Sequence, residues 1–123
     1  MTAIAKFDYI RSPKLMQAYR KLPCMHCGID DGTVVGAHSN QAEHGKGRGI
    51  KASDVFCASL CHRCHMEVDQ GPTMSRTERA EVWTEAHVKT VDELVRRGLW
   101  PKDVSVPETN QPLAPALLDS SAT

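Results

Sequence analysis

The chain has 123 residues, with 15 Lys+Arg balanced by 15 Asp+Glu, six His, five Cys and only 5% aromatic residues. That length is expected to hold one small domain rather than two, and a large multi-domain enzyme is not expected. No apolar run approaches the roughly 18 residues needed to span a bilayer, and zero net charge excludes a uniformly basic nucleic-acid coat.

Taken in chain order, the first 21 residues are locally basic, with Lys6, Arg11, Lys14, Arg20 and Lys21 against Asp8. The start lacks a long apolar segment, so no secretory signal is expected, and the reading is cytoplasmic with reduced thiols. Ser12-Pro13 reads as an N-cap with proline at the first helical position, and Leu15, Met16, Tyr19 and Leu22 recur at helical spacing up to Pro23. The segment from Cys24 to Ala37 reads as a Cys-containing knuckle, a turn and a short strand through Thr33, Val34 and Val35 that ends at His38. Ser39 to Ser53 carries three glycines and almost no apolar residue, which predicts a loop. Val55, Phe56, Cys57, Ala58 and Leu60 then predict a second short buried segment.

After Gly71-Pro72, Ser75 and Glu78 form a capping-box signature. Ala80, Trp83, Ala86, His87, Val91, Leu94 and Val95 follow at helical spacing until Gly98, and Trp83 and His87 are read as packing residues. From Asp103 onward three prolines, polar residues and weak periodicity predict a disordered tail. The expected organisation is a domain over 1–102 and a tail over 103–123, in which Leu113, Leu117 and Leu118 offer a partner contact. No internal repeat is present.

The strongest chemical signal is Cys24-Met-His-Cys27 paired with Cys61-His-Arg-Cys64. Two-residue spacing lets both thiolates of a pair reach one tetrahedral zinc, so a closed structural site is expected that ties the two halves of the chain together. His26 and His62 are alternative ligands, and Cys57 reads as a small buried apolar residue. The second signal is His65 with Asp69 one helical turn on, both on one helix face and able to share a hard divalent cation, with His38 upstream. In phosphodiester hydrolysis a neutral imidazole takes the proton from attacking water while a metal stabilises the phosphate charge. Lys46, Arg48 and Lys51, interleaved with glycines, are candidates to hold backbone phosphates of DNA. Asp54 and Asp69 also have ordinary uses as turn or cap residues.

With CMHCG at 24–28, AHSN at 37–40 and LCHRCHMEVD at 60–69 in this order, the chain resembles the HNH (ββα-metal) endonucleases that carry a CxxC pair on each side of the active site. AHSNQAEHGKGRGIKASD at 37–54 followed by LCxxCHxxxD is similar to small phage and prophage proteins of that type and, more distantly, to a phage RecA-dependent recombination-enhancing nuclease. The resemblance covers about residues 12–100. It implies an α+β fold: a zinc-stabilised ββα-metal core with an N-terminal helix and a long C-terminal helix. It also implies a DNA endonuclease acting in phage DNA metabolism or recombination with one magnesium or manganese ion, His38 as general base and His65 as metal ligand.

The chain departs from the family pattern at two positions. Ala37 stands where many members have a metal-binding Asp or His, and Phe56 stands near the place of the usual Asn. The remaining ligands are then sought among His44, Asp54 and Asp69, or His38 binds the metal and His44 is the base. A zinc-ribbon module that binds nucleic acid or a recombination or replication partner without catalysis is the rival reading. A redox CxxC protein is the third, disfavoured because no βαβ pattern surrounds either pair.

Overall fold

The computed structural model describes residues 10–41 and 52–108. They form α1 (Pro13–Tyr19), β1 (Val35–His38), β2 (Cys57–Leu60), α2 (His62–Gln70) and α3 (Arg76–Arg96), a small α+β fold. No helix among these residues is long and apolar enough to cross a membrane.

The Ser12 hydroxyl accepts the Leu15 N–H at 3.1 Å, and Pro13 occupies the first turn, where its missing N–H costs nothing. The helix ends at Tyr19 rather than continuing through the periodic Leu22. Leu22 precedes Pro23 and is driven out of helical backbone, so residues 20–22 close as tight turns. Strand β1 also starts later than Thr33. Asp31 Oδ1 accepts both the Thr33 N–H (3.0 Å) and its hydroxyl (2.6 Å), a side-chain turn that competes with strand pairing.

The two strands pair antiparallel, with Val35 opposite Leu60 and His38 opposite Cys57. All four residues of β2 are buried, because both of its faces and its outer edge are covered. On one face Tyr19 of α1 lies against Gly36, in a cluster with Leu15, Leu22, Cys57 and Leu94. On the other, Ala37, Ala58 and Leu60 pack with Val68 of α2 and with Trp83 and Ala86 of α3. A bare β edge is a site of unwanted pairing, and α3 closes this one. His87 Nδ1–H donates to the Cys57 carbonyl at 2.8 Å, and the Thr90 hydroxyl accepts the Ser59 N–H at 3.0 Å. Trp83 stacks on His87 with ring centroids 4.8 Å apart and donates its Nε1–H to the Ala37 carbonyl, so both residues serve packing as the helical pattern indicates.

Both caps of α3 follow the sequence. Ser75 and Glu78 make the reciprocal capping box, and Gly98 takes the left-handed φ of +71° just past the end. Val104 lies beyond the boundary read at 102 and is nevertheless buried beside Leu15 and Leu94; Trp100 Nε1–H holds its carbonyl at 2.8 Å. The remaining residues read as tail, 109–123, lie outside the described residues.

Gly36 is a sensitive position. A Cβ added there would sit 2.5 Å from Tyr19 Cδ2, and the fully buried ring has no room to withdraw. Gly36→Ala is expected to lower the urea midpoint by an amount worth about 1–3 kcal/mol, the usual cost of overpacking. An unchanged midpoint would show that α1 does not press on the sheet at this point.

Candidate functional site

Cys24 and Cys27 lie in a tight knuckle. Gly28, at φ +83°, turns its N–H onto the Cys24 carbonyl (2.9 Å), and the Cys27 N–H points at Cys24 Sγ (3.4 Å). The knuckle docks on β2 through the Met25 N–H and the Ser59 carbonyl, 2.8 Å apart. Cys61 is the N-cap of α2 and Cys64 lies in its first turn, so the end of the strand and the start of the helix present the second pair.

The four ligand sulfurs lie within 4.8 Å of one another, and Cys27 Sγ and Cys61 Sγ are 3.7 Å apart. That separation is far beyond the roughly 2.05 Å of a disulfide. It matches the edge of about 3.8 Å of a tetrahedron with Zn–S near 2.3 Å. These residues fit a structural zinc ion, with three sulfurs buried and Cys27 exposed. His26 and His62 are exposed and stand outside the set.

The electrostatics of the bare thiols point the same way. Burial and the neighbouring sulfurs push the Cys64 thiol well up, and burial leads the rise at Cys61. At Cys24 burial acts in the same sense, but the backbone N–H groups of Cys27, Cys61 and His26 and the Cys27 side chain outweigh it and bring the thiol down to about 6. Four thiolates this close repel one another unless a cation lies among them. The exposed Arg63 guanidinium faces the Cys27 sulfur, and its pKa is raised by that contact.

A second arrangement lies on the α1 side of the sheet. Asp54, 5% exposed, sits in the turn before β2. Its Oδ1 is 2.9 Å from His38 Nε2 and 3.7 Å from Arg11 Nη1, and its Oδ2 accepts the Ser12 N–H at 2.7 Å. The Tyr19 hydroxyl donates to the Asp54 carbonyl at 2.7 Å; burial, with Cys57 and Asp54 adding, keeps that phenol protonated. Since a carboxylate only accepts, the proton of a neutral His38 sits on Nε2 and the lone pair on Nδ1. His38 is 20% exposed, so water reaches the ring. Asp54 thus combines the turn role read from sequence with a partnership to His38 that spacing did not disclose.

His65 and Asp69 both lie on α2, His65 half-buried and Asp69 exposed. Asp69 Oδ1 accepts from Asn40 Nδ2 at 2.7 Å, a contact visible beforehand only as the N of AHSN. Asn40, Asp69, Arg76, Arg79 and Trp83 line a cleft of about 610 Å³ between α2 and α3. Among the described residues, the one group of three or more His, Cys, Asp or Glu side chains suited to a metal ion is the cysteine set. His38, His65 and Asp69 are not gathered into another. By strand alternation His38 shares the Gly36 face, whereas α2 packs on the Ala37 face. Ala37 is buried with its carbonyl on Trp83, Phe56 packs against both core clusters, and Cys57 is fully buried. His44, Lys46, Arg48 and Lys51 lie outside the described residues.

No protein-family model, curated protein or solved structure matches this chain. What stands on geometry is a small α+β domain with a four-cysteine cluster that can bind zinc.

Proposed function

We propose that the chain is a metal-dependent endonuclease of the HNH type that hydrolyses DNA phosphodiester bonds, in phage or prophage DNA metabolism or recombination. The observation that carries this reading is the pairing of a partly exposed imidazole with a buried carboxylate, His38 Nε2 to Asp54 Oδ1 at 2.9 Å. Such a carboxylate orients the ring, selects its tautomer and stabilises the imidazolium formed when the other nitrogen takes a proton. His38 Nδ1 is then the base that removes a proton from the attacking water. Zinc held by Cys24, Cys27, Cys61 and Cys64 would fix β2 and α2, and the ladder from β2 to β1 holds His38.

The magnesium or manganese requirement rests on the resemblance. His65 and Asp69 supply two donors, and one Asp69 oxygen is already engaged by Asn40, so the described residues do not form a complete cage for such an ion. This incompleteness, together with the buried Ala37, favours the second reading, a zinc module that binds nucleic acid or a protein partner without cutting.

The test is incubation of the zinc-loaded protein with supercoiled plasmid and with single-stranded circular DNA, with and without magnesium or manganese. The expected outcome is nicking or linearisation only when the ion is added. Inactivity on both substrates, with one zinc per chain found by elemental analysis, would replace the nuclease with the binding module.

A further inference from the structure

Among the described residues, a run of exposed cations lies outside the cysteine cluster and the His38–Asp54 pair. Helix α1 buries Leu15, Ala18 and Tyr19 on one side. Its other side and flanks expose Arg11, Lys14, Arg20 and Lys21. No acid occurs between Asp8 and Asp30, although the chain as a whole is neutral, so this stretch of sequence carries positive charge alone. Arg11 is paired with Asp54, and Arg96 and Arg97 are paired with Glu93. Lys14, Arg20 and Lys21 have no ion pair to any described residue.

The position of this surface matters as much as its sign. Arg11 Nη1 lies 3.7 Å from Asp54 Oδ1, the oxygen that holds His38. The Ser12 N–H binds the other oxygen of the same carboxylate, and Tyr19, at the far end of the helix, packs on Gly36 two residues before His38. Lys14, Arg20 and Lys21 therefore lie on, or directly after, an element anchored beside the His–Asp pair at both ends.

We infer that the exposed side of α1 and the turn that follows it, through Lys14, Arg20 and Lys21, form the surface on which this chain holds the phosphodiester backbone of duplex DNA and leads it to His38. The inference rests on the nucleic-acid reading above and adds a location for the interface. Lysine and arginine contacts to phosphates release condensed counterions, each adding about 0.9 to the slope of log affinity against log salt. They orient the duplex without reading its sequence.

The experiment is fluorescence anisotropy of a short labelled duplex against the full-length, zinc-loaded chain across a salt series, without added magnesium or manganese. The triple variant Lys14→Ala/Arg20→Ala/Lys21→Ala is expected to bind more weakly and to lose about 2.7 from the salt slope. Lys89→Ala/Arg97→Ala/Lys102→Ala removes the same charge from exposed positions elsewhere and is expected to keep the slope. Lys14→Arg/Lys21→Arg is expected to keep it too, which separates charge from folding. Equal losses in both triple variants, or no loss in the α1 variant, overturn the interface. Plasmid cleavage read in parallel distinguishes the two claims. Cutting with an unchanged slope overturns the α1 surface and spares the nuclease; α1-dependent binding without cutting does the reverse. A wild-type chain that binds no duplex overturns the interface outright.

Discussion

Cys61→Ser is expected to abolish cooperative folding, and so is prolonged chelation of the wild-type protein. Cys61 belongs to both halves of the structure: its sulfur lies 3.7 Å from Cys27, and its backbone is the N-cap of α2, where no side-chain hydrogen bond assists. Structural zinc contributes an apparent 10–16 kcal/mol or so in small zinc-dependent folds. The entire stability of a small domain is about 5–15 kcal/mol. With 5% aromatic residues and a two-stranded sheet, the apolar core of this chain has little reserve to offset that loss. Circular dichroism melting and elemental analysis provide the check: one zinc per chain for wild type, and neither zinc nor a cooperative transition for the variant. Cys57→Ser is the internal control. Cys57 is fully buried on the α1 side, away from the four sulfurs, so its replacement is expected to cost about 1–3 kcal/mol while zinc content stays the same. A Cys61→Ser chain that melts like wild type would rule out a structural metal.

His38→Ala is expected to lower the rate of DNA cleavage by about 10²- to 10⁴-fold, the usual contribution of a positioned base. Zinc content should be unaffected, because His38 stands outside the cysteine set. Asp54→Asn is the more discriminating variant. The Asn carbonyl can still accept the Ser12 N–H, but its amide N–H would then face His38 Nε2. The ring must answer with a lone pair there, which moves its proton to Nδ1 and removes the base. Cleavage by Asp54→Asn is therefore expected to fall nearly as far as in His38→Ala, with only a small change in the urea midpoint. Asp54→Ala leaves the Ser12 N–H without its acceptor and is expected to cost a further 1–3 kcal/mol or so of stability. Wild-type cutting by Asp54→Asn beside an inactive His38→Ala would separate the base from its supposed orienting partner.

The features legible in the sequence were those decided within a few residues. Ser12-Pro13 starts α1, Ser75 and Glu78 start α3, and Gly98 ends it, because capping is satisfied by groups one turn away. The cysteine set was legible for a related reason: each CxxC brings two sulfurs together by local geometry, and zinc chemistry supplies the rule that joins the pairs. Where a local side-chain turn competed, as Asp31 does with Thr33, the strand boundary moved.

The partners of the candidate catalytic residues belong to the other class. Asp54 meets Ser12 across 42 positions and His38 across 16, and Asn40 meets Asp69 across 29. Spacing could place His65 and Asp69 on one helix face, but not decide which face of the sheet His38 would share with which helix. By itself, then, the sequence determined the cysteine knuckles, the capped helices and the burial of Trp83, His87 and Cys57. Tertiary structure alone decided that Asp54 meets His38, that the start of α1 is bonded to the same carboxylate, and that α3 closes the edge of β2. Local rules are enforced by the chain's own connectivity, whereas contacts between distant residues form only when burial of the shared core brings their elements together.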